Sequence, residues 1–391
     1  MISVSAILGG VFLAVIPAGA QMWSETNTNK TYDWFGIASS ADGTKLAATV
    51  GSAVPTSGEG IYLSTNSGAT WTQSQAPAGA WGPIASSADG TKLAVANANG
   101  YIYTSTNSGG AWVQRMTPTE KWLSLASSAD GSKLIAADNP GYLIVSTNSG
   151  AAWLTPTNLN RPWLSAVCSA DGNEMAAQYE GDDADPWVST NSGIKWQPAA
   201  IPVNQGGDLA TTATGNSLML LSRGLLNVST NWGLSWSPSF GTQIPGYATT
   251  VSSADGSTLF TFGGGIGQEQ YPATLWVSTN LGVNWTSSGP TNTWTSIAAS
   301  ADGRELAAVS EYGGVWVSQT PPAPQLNVSS ASNNLNLSWI VPSTNMLLEQ
   351  SFDLINWTPI TNSPSLDLSS LQDGLTLSPT NSAAFFRLIS Q

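Results

Sequence analysis

Histidine is absent from the 391-residue chain, and cysteine occurs once, as Cys168. Without histidine, the chain cannot form imidazole metal ligands, a Ser-His triad or a Cys-His dyad. A single cysteine also excludes an internal disulfide. Cys168 lies in a predicted strand directly before residues 169–172, Ser-Ala-Asp-Gly, and we expect it to be a small buried hydrophobic residue rather than a reactive thiol.

Charged side chains are also scarce. They make up 9% of the chain, against about a quarter in an ordinary globular domain, and the net charge is −13 with a pI near 4.1. Such an acidic surface repels phosphate backbones and anionic membranes, so nucleic acid is not an expected partner. No motif in the sequence predicts a bound cofactor.

The N-terminal segment predicts export. Residues 6–16 form an apolar run that is too short to span a membrane. Ala-Gly-Ala at residues 18–20 matches a small-residue cleavage site, so we interpret residues 1–20 as a signal peptide and Gln21 as the first mature residue. Residues 1–5 contain no Lys or Arg, which departs from the usual signal pattern. The expected location is the periplasm, the cell surface or the medium of a bacterium.

One stretch of eight residues recurs six times, first as Ser-Thr-Asn-Ser-Gly-Ala-Thr-Trp at residues 64–71. Its closing tryptophans are separated by 41, 41, 43, 40 and 49 residues, a period typical of propeller blades. Asn bonds to nearby backbone amides, Gly takes positive φ, and Trp brings a large apolar surface to the next strand, so each copy predicts a hairpin corner. The Asn and Trp of the six copies are Asn66 and Trp71, Asn107 and Trp112, Asn148 and Trp153, Asn191 and Trp196, Asn231 and Trp236, and Asn280 and Trp285.

These octets resemble the Asp-box (BNR) repeat, Ser-x-Asp-x-Gly-x-Thr-Trp, of sialidase-like, sortilin-like and photosystem II assembly-factor-like propellers. The resemblance covers residues 21–320. Asn replaces the Asp of the motif in every copy, and the Thr before the Trp is kept only at Thr70. In that superfamily the box is a structural corner. The resemblance therefore implies the fold and a structural role for the repeated Asn and Trp, and says little about activity.

A second motif, offset from the first, ends in an Asp-Gly turn, which is a strong hairpin signal between alternating segments. Together the two motifs define strands A to D in each unit. Strand A begins at an aromatic residue, B follows Asp-Gly, C leads into the Asn box, and D carries the box Trp. The copies are residues 34–43, 81–90, 122–131, 163–172, 247–256 and 294–303, with a degenerate copy at 206–215.

The two ends of the repeat predict how the ring closes. The last unit stops after its strand C at residues 315–318 and meets Pro321 and Pro322, whereas residues 21–25 form a strand D without a unit of its own. Placing Trp23 in the last blade closes a seven-bladed ring and removes exposed sheet edges. We therefore predict an all-β fold, a seven-bladed propeller of four-stranded blades closed by the N-terminal strand.

The repeat ends at the proline-rich linker, residues 321–325. Residues 326–391 contain short strand-like segments separated by turn residues, and they resemble the small fibronectin-like β modules that end many secreted bacterial proteins. The predicted domains are thus a signal peptide at residues 1–20, a propeller at 21–320, and a small β-sandwich-like module at 326–391.

Connectivity divides the propeller into two faces. The A–B turns and the Asn boxes lie on one, which we call the regular face. The B–C and D–A loops lie on the other, which we call the variable face, and its longest loops are residues 50–60, 180–186 and 263–272. Binding usually resides in variable loops on a rigid scaffold, so we expect the functional site on the variable face.

Carboxylates on the variable face supply two candidate sites. Two members of one set can face each other across the axis as the acid and base of a glycosidase. A second set lies in one acidic loop, which we expect to be solvated because it lacks the Gly and terminal Glu of an EF-hand. Binding of Ca²⁺ through its oxygen atoms is the alternative. The first set is Asp33, Glu59, Glu269 and Glu311, and the second is Glu180, Asp182, Asp183 and Asp185.

Arginine gives the third candidate. The sialidase resemblance implies three arginines on the substrate carboxylate and a Tyr–Glu nucleophile pair. Arg115, Arg161 and Arg223 lie in variable-face loops, whereas Arg304 lies in an Asp-Gly turn of the regular face. No Arg-Ile-Pro segment occurs. Arg115 and Arg161 precede their strand-A tryptophans by seven and two residues, so we do not expect these side chains to converge on one carboxylate.

Three functions remain open at this point. We expect a secreted, non-catalytic propeller, a monomer, that binds a protein or a glycan on the variable face, as the photosystem II assembly and sortilin-type relatives imply. The alternatives are an exported glycoside hydrolase of the sialidase or xyloglucanase kind and a purely structural surface protein. A deep axial pocket with paired carboxylates favours the hydrolase. A flat, apolar or aromatic-rich variable face favours the binding scaffold.

Overall fold

The structure is a computed structural model, and every element among its described residues is a β-strand. The chain divides into two compact units, Trp23–Gln319 and a smaller one built from Met1–Met22 and Thr320–Gln391. The described residues are 2–4, 22–26, 28, 31–51, 59–97, 100–118, 120–139, 141–157, 159–179, 181, 185–199, 207–213, 215–222, 225–239, 248–263, 272–311, 313–319, 327–331, 334–340, 346–352, 356–361, 365–367, 372–377 and 384–390.

The larger unit is a seven-bladed β-propeller, which confirms the predicted fold class. Each blade is an antiparallel meander of strands A, B, C and D. In blade 3, strand D is a single bridge between Val145 and Leu154. Pro156 follows two residues later and has no N–H to extend the ladder. The strands of blades 1 to 3 are Trp34–Ser39, Leu46–Val50, Gly60–Ser64 and Thr72–Gln73; Trp81–Ser86, Leu93–Asn97, Ile102–Ser105 and Val113–Gln114; and Trp122–Ser127, Leu134–Asp138 and Leu143–Ser146.

Blades 4 to 7 continue the same order along the chain. Blade 5 is the degenerate unit, and its strand A begins at Asp208 rather than at an aromatic residue. The strands are Trp163–Cys168, Met175–Tyr179, Trp187–Ser189 and Gln197–Pro198; Asp208–Thr211, Leu218–Ser222, Leu225–Ser229 and Ser237–Ser239; Ala248–Ser252, Leu259–Gly263, Ala273–Ser278 and Thr286–Asn292; and Trp294–Ala299, Glu305–Ser310 and Gly314–Gln319.

The apolar core lies between neighbouring blades. Seven clusters of buried side chains each join two adjacent blades. The tryptophan that opens strand A anchors most of them, and Trp34, Trp81 and Trp163 are fully buried. Alanines of strand B, such as Ala48 and Ala136, are also fully buried, and their small side chains let the sheets approach closely.

A ring of backbone hydrogen bonds closes around the propeller axis. The alanine that precedes each turn residue donates its N–H to the carbonyl of the corresponding alanine in the next blade, with N–O distances of 2.7 or 2.8 Å. This ring fixes the ends of all seven A strands at the regular face, so the blades form one rigid scaffold for the loops of the other face. Its members are, in order, Ala41, Ala88, Ala129, Ala170, Ala213, Ala254 and Ala301, which returns to Ala41.

The N-terminal strand Met22–Glu25 is the outer strand of blade 7, next to Gly314–Gln319. Trp23 occupies the place of a box tryptophan. Its ring centroid lies 6.1 Å from that of Trp294, and its Nε1–H donates to Ser288 Oγ of blade 6 at 3.1 Å. The two ends of the repeat therefore meet within one sheet.

The smaller unit contains two four-stranded sheets. Leu337, Leu348, Leu375 and Phe386 are buried apolar residues in the described part of this unit. The fibronectin-like assignment remains a proposal, and the linker at 321–325 and most of the expected signal peptide lie outside the described residues. The strands of the two sheets are Asn327–Ala331, Asn334–Ile340, Gln372–Leu377 and Ser365–Asp367, and then Ile2–Val4, Ala384–Ser390, Met346–Ser351 and Thr358–Pro359.

Candidate functional site

The six Asn boxes are one hydrogen-bonded corner repeated on the regular face. In blade 1, Ser64 Oγ donates to Asn66 Oδ1 at 3.0 Å, Thr70 N–H donates to the same oxygen at 2.9 Å, and Gly68 N–H donates to Ser64 Oγ at 2.9 Å. The bonds to the Asn oxygen measure 2.8 to 3.0 Å in the other five boxes. The fourth box residue has a φ of 53 to 58°, in the left-handed region. The repeated Asn thus holds the corner.

In the Asp-Gly turns of the regular face, the Asp carboxylate also accepts hydrogen bonds from residues of its own turn. Ser87 Oγ donates to Asp89 Oδ1 at 2.6 Å, and Thr91 donates its N–H at 3.0 Å. These bonds hold the pKa of Asp89 at about 2, and equivalent bonds do the same for Asp130. The Lys45 ammonium donates to the Asp89 carbonyl of the next blade at 2.7 Å. The turn carboxylates therefore stabilise turns rather than form a reactive site.

Two small cavities lie between blades on the regular face. One, between blades 7 and 1, is lined by residues that include Gly43, Ser67 and Glu305, and the other lies between blades 2 and 3. Each has a volume of about 10 Å³, which is close to the space needed for one water molecule. Neither cavity can hold a sugar or a peptide side chain.

The variable face brings together two of the candidate carboxylate residues, Asp33 and Glu311. They form an isolated antiparallel bridge where blade 7 meets blade 1. Glu311 N–H donates to Thr293 O at 2.9 Å, and Gly51 N–H donates to Asp33 O at 3.0 Å. Bridged residues of antiparallel strands have Cα atoms about 4.5–5.5 Å apart. The two residues are therefore neighbours at one blade junction.

The other two candidate carboxylates are placed differently. Glu59 directly precedes strand C of blade 1, and its carbonyl accepts a hydrogen bond from Gln73 Nε2 at 3.1 Å. Glu269 lies outside the described residues. The described part of the chain therefore shows one close pair among the four candidates.

Arg161 is the candidate arginine with the most distinctive surroundings. Its guanidinium carbon lies 4.8 Å from the ring centroid of Tyr179 and 5.0 Å from that of Trp187. Cation–π contacts at these distances are attractive and hold the guanidinium plane. Its Nε is buried and has no hydrogen-bond acceptor among the described residues. Blade 4 thus presents an arginine whose side chain is positioned by aromatic rings.

In the described part of the chain, neither of the other two candidate arginines lies in a shared site with Arg161. Arg115 directly follows strand D of blade 2, and its Nε donates to Thr104 Oγ1 at 2.6 Å on strand C of the same blade. Arg223 lies outside the described residues. The structure therefore places Arg115 and Arg161 on different blades, each with partners of its own.

The acidic loop before Pro186 is described only at Asp185 and Gly181. Glu180, Asp182 and Asp183 lie outside the described residues. No group of three or more metal-ligating side chains occurs in the part of the chain that the structure describes, and no helix there could cross a membrane.

Sequence reasoning missed two carboxylate environments. Burial raises the pKa of Glu120, and the neighbouring Asp138 raises it further. Burial also raises the pKa of Asp138, against the hydrogen bonds from the Tyr142 and Gly141 N–H groups. Asp138 is the last residue of strand B, where blades 1 and 2 have Val50 and Asn97. Alignment of the repeat units would therefore have shown an unusual carboxylate at this position.

The second missed environment is that of Asp208, at the start of strand A in blade 5. Its Oδ2 accepts the N–H of Thr250 from blade 6 at 2.8 Å. Burial raises its pKa to about 6, although hydrogen bonds from Ser165, Thr250 and Leu209 act in the opposite direction. Ser165 holds the corresponding place in blade 4, so the substitution was visible in the sequence, but its burial was not.

No protein-family model matches the chain, and no curated protein matches it in sequence. Solved structures do share its fold. A GH74 xyloglucanase from Xanthomonas campestris superposes with a TM-score of 0.59 at 15% identity, and the match covers 82% of this chain and 59% of the xyloglucanase. The chain thus spans 59% of the length of that enzyme.

Two further neighbours are matched over almost their whole length. YCF48 from Cyanidioschyzon merolae matches with a TM-score of 0.57 at 13% identity, over 78% of this chain and 99% of its own. YCF48 bound to D1 peptide matches with a TM-score of 0.56 at 12% identity, over 79% and 100%. At these identities the similarity shows the fold alone. The class that fold and comparisons define is a seven-bladed β-propeller.

Proposed function

We propose that the chain is an exported, non-catalytic propeller that binds a glycan or a protein segment on its variable face. The observation that carries this proposal is the Arg161 guanidinium, which lies over the rings of Tyr179 and Trp187 at 4.8 and 5.0 Å from their centroids. A guanidinium is a planar fork of five N–H donors, and it loses little further freedom when a ligand oxygen arrives. Rigid placement of a donor lowers the cost of binding.

The neighbouring blade offers apolar contact on the same face. Met116, in the D–A loop before blade 3, is 93% exposed, and Tyr142, in its B–C loop, is 42% exposed. Exposed large apolar side chains on a face that also carries polar donors are typical of recognition surfaces. This combination suits a ligand that has both hydrogen-bond acceptors and apolar faces, which describes sugars and peptides alike.

The fold neighbours support both ligand classes without deciding between them. One is a xyloglucanase and another is bound to a peptide, and all three share the propeller fold with this chain. An array of bacterial and plant glycans, together with a peptide array, is the first experiment on the full-length protein. We expect saturable binding to members of one array. Absence of binding to either would contradict the proposal and favour a purely structural role.

A glycoside hydrolase is the second candidate, and the Asp33–Glu311 bridge is the observation that favours it. Retaining glycosidases place two carboxyl groups about 5–5.5 Å apart. A panel of fluorogenic glycosides, including xylogluco-oligosaccharides and sialosides, tests it. We expect no release of fluorophore. Turnover by the parent protein that is lost in both Asp33→Asn and Glu311→Gln would show that the protein is a hydrolase and not a non-catalytic binding scaffold.

A further inference from the structure

Blades 2 and 4 bring together the same two positions at the variable face, namely the residue two places before strand A and the last residue of strand B. In blade 4 these are Arg161 and Tyr179, whose guanidinium carbon and ring centroid lie 4.8 Å apart. In blade 2 they are Gly79 and Asn97, and a Cβ atom built on Gly79 would lie 2.9 Å from Asn97 Nδ2. Neither blade has a carboxylate at either position, so a blade folds without one there.

Blade 3 has two carboxylic acids at these positions, Glu120 and Asp138, and they lie within hydrogen-bonding reach of each other. Asp138 is fully buried. Its Oδ1 accepts the N–H groups of Gly141, at 3.1 Å, and of Tyr142, whereas its buried Oδ2 has no hydrogen-bond partner among the described residues. Two ionised carboxylates in contact repel each other, and the low dielectric of a buried site strengthens that repulsion. A proton held between the two groups removes it.

No cation takes the place of that proton among the described residues. The charged and titratable residues of the adjoining loops are Tyr101, Arg115, Lys121, Tyr142 and Arg161. Lys121 is exposed, Arg115 donates to Thr104 Oγ1 at 2.6 Å, and the Arg161 guanidinium lies over rings of blade 4. Burial raises the pKa of both Glu120 and Asp138, and the Asp138 charge raises that of Glu120 further. The pair therefore keeps a proton at a pH where an isolated Asp or Glu, with pKa values of 3.8 and 4.5, has lost it.

Glu120 is the movable member of the pair. The first part of its loop is held to strand C of blade 2, because Ile102 N–H donates to Thr117 Oγ1 at 3.2 Å. Glu120 N–H donates to Gly100 O at 3.4 Å, which is a long and weak hydrogen bond. Asp138, by contrast, ends an inner strand of the blade and accepts two backbone N–H groups. Ionisation of both carboxyl groups therefore moves Glu120 away from Asp138.

We propose that Glu120 and Asp138 form a proton-sharing latch beneath the variable face, closed while the pair shares a proton and open when both carboxylates are ionised. The latch adjoins the proposed binding surface, because Asp138 accepts the N–H of the exposed Tyr142. Gly141 of the same loop lies against the side chain of Asn160, which directly precedes the candidate arginine of blade 4. This regulation rests on the proposed function. A closed latch keeps the surface rigid, and a rigid surface binds at lower entropic cost, so binding weakens as the pair ionises.

A double-mutant cycle tests the latch without any ligand. Glu120→Gln, Asp138→Asn and the double variant are compared with the parent by urea denaturation of the full chain at pH 4.5 and pH 8. The coupling between the two side chains should stabilise the protein at pH 4.5 and be lost or repulsive at pH 8, because the shared proton has then left. Asp208, with a pKa of about 6, is present in all four proteins, so its effect cancels. A coupling that is the same at both pH values overturns the proposal.

Hydrogen exchange in peptides that contain Glu120, corrected for the intrinsic effect of pH, locates the movement. We expect protection in the parent to fall at least about tenfold between pH 4.5 and pH 8, equivalent to one pKa unit. Glu120→Gln should stay protected at both pH values, because its amide N–H donates to the ionised Asp138. Glu174→Gln, on the regular face of blade 4, is the matched control and should retain the pH dependence of the parent. This comparison still decides if Asp138→Asn fails to fold.

Protection in the parent that does not change with pH contradicts the latch, and so does a pH dependence that survives in Glu120→Gln. The glycan and peptide arrays separate regulation from the proposed function. The parent should bind more weakly at pH 8 than at pH 4.5, and Glu120→Gln should bind equally at both. Binding by the parent that is independent of pH refutes the regulatory role. Absence of binding at either pH contradicts the proposed function instead, and the cycle and the exchange experiment still test the latch.

Discussion

Asp208 shows how one residue sets a pH dependence for the whole ring. Burial raises its pKa to about 6, whereas an unfolded Asp ionises near 3.8. Between these two values the folded state holds a proton that the unfolded state has lost, so stability falls as the pH rises from about 4 to 6. Asp208→Asn removes this penalty and keeps an acceptor for Thr250 N–H. We expect its melting temperature to exceed that of the parent at pH 7.5, with the difference vanishing near pH 4.

Asp89 is the matched control, since its pKa is shifted in the opposite direction, to about 2. A carboxyl with a lowered pKa contributes stability that is present above its unfolded pKa and is lost as the pH falls through the folded value. Asp89→Asn should therefore be less stable than the parent at pH 7.5 and approach it near pH 2. Two variants with the same sign of change at neutral pH would contradict these assignments.

The Asn boxes carry a related prediction. Asn66 Oδ1 accepts hydrogen bonds from Ser64 Oγ and Thr70 N–H, and Asn cannot titrate. An Asp there would accept the same bonds with a lowered pKa, and its stabilising effect would be lost as the pH falls through that pKa. Asn66→Asp combined with Asn107→Asp should thus add a loss of stability in acid. Denaturation curves of mutant and parent that stay parallel from pH 7 to pH 3 would refute this.

At the scale of the blade, blade 5 lacks the buried aromatic residue of strand A and uses a different tryptophan for packing. Its copy of the second motif, residues 206–215, has Gly206 in place of the aromatic residue that begins this motif in the other blades. Trp232, in the box of the same blade, fills the interface with blade 4 instead: it is 6% exposed, and its Nε1–H donates to Ser189 O at 3.2 Å. The backbone of Trp232 has a φ of 53°, in the strained left-handed region, so the packing of its side chain outweighs this backbone strain.

Trp232→Ser restores the residue of the first four boxes and removes that anchor. Loss of a buried tryptophan costs about 3–5 kcal/mol, and relief of the left-handed strain returns about 1–3, so a net loss of roughly 2 kcal/mol is expected by urea denaturation. Leu281→Ser is the control, because it relieves the same strain at a half-exposed site and should be neutral or stabilising. A neutral Trp232→Ser would show that blade 5 does not depend on this side chain.

The repeat predicted the elements well and the functional contacts poorly. Strand A begins at the expected tryptophan in five blades, such as Trp34 and Trp294, because the aromatic and Asp-Gly signals have a fixed spacing. The bridge of Asp33 and Glu311 joins residues 278 positions apart, and sequence spacing carries no information on such a contact. The pKa of Asp208 also depends on a neighbouring blade, since Thr250 of blade 6 bonds to it, and Arg161 contacts rings that lie 18 and 26 residues further along blade 4.

At the scale of the whole molecule, closure of the ring depends on its first strand. Trp23 packs against Trp294 and bonds to Ser288, so residues 21–30 tie the end of blade 7 to the start of the chain. Deletion of residues 21–30 should expose the edge of Gly314–Gln319 and cost about 3–5 kcal/mol from the lost tryptophan alone. Differential scanning calorimetry checks this. A truncated protein that melts at the parent's temperature would show that the ring is stable without this strand.

Binding on the variable face is tested most directly by two arginine variants on the glycan and peptide arrays. The Arg161 guanidinium lies over two aromatic rings on the variable face, whereas Arg304 is 64% exposed in a turn of the regular face. Arg161→Ala, and Arg161→Lys with its compact charge, should weaken binding at least about tenfold, equivalent to 1.4 kcal/mol, while Arg304→Ala leaves it unchanged. Equal affinity of Arg161→Ala and the parent, or loss of binding in Arg304→Ala alone, would contradict a binding site on the variable face.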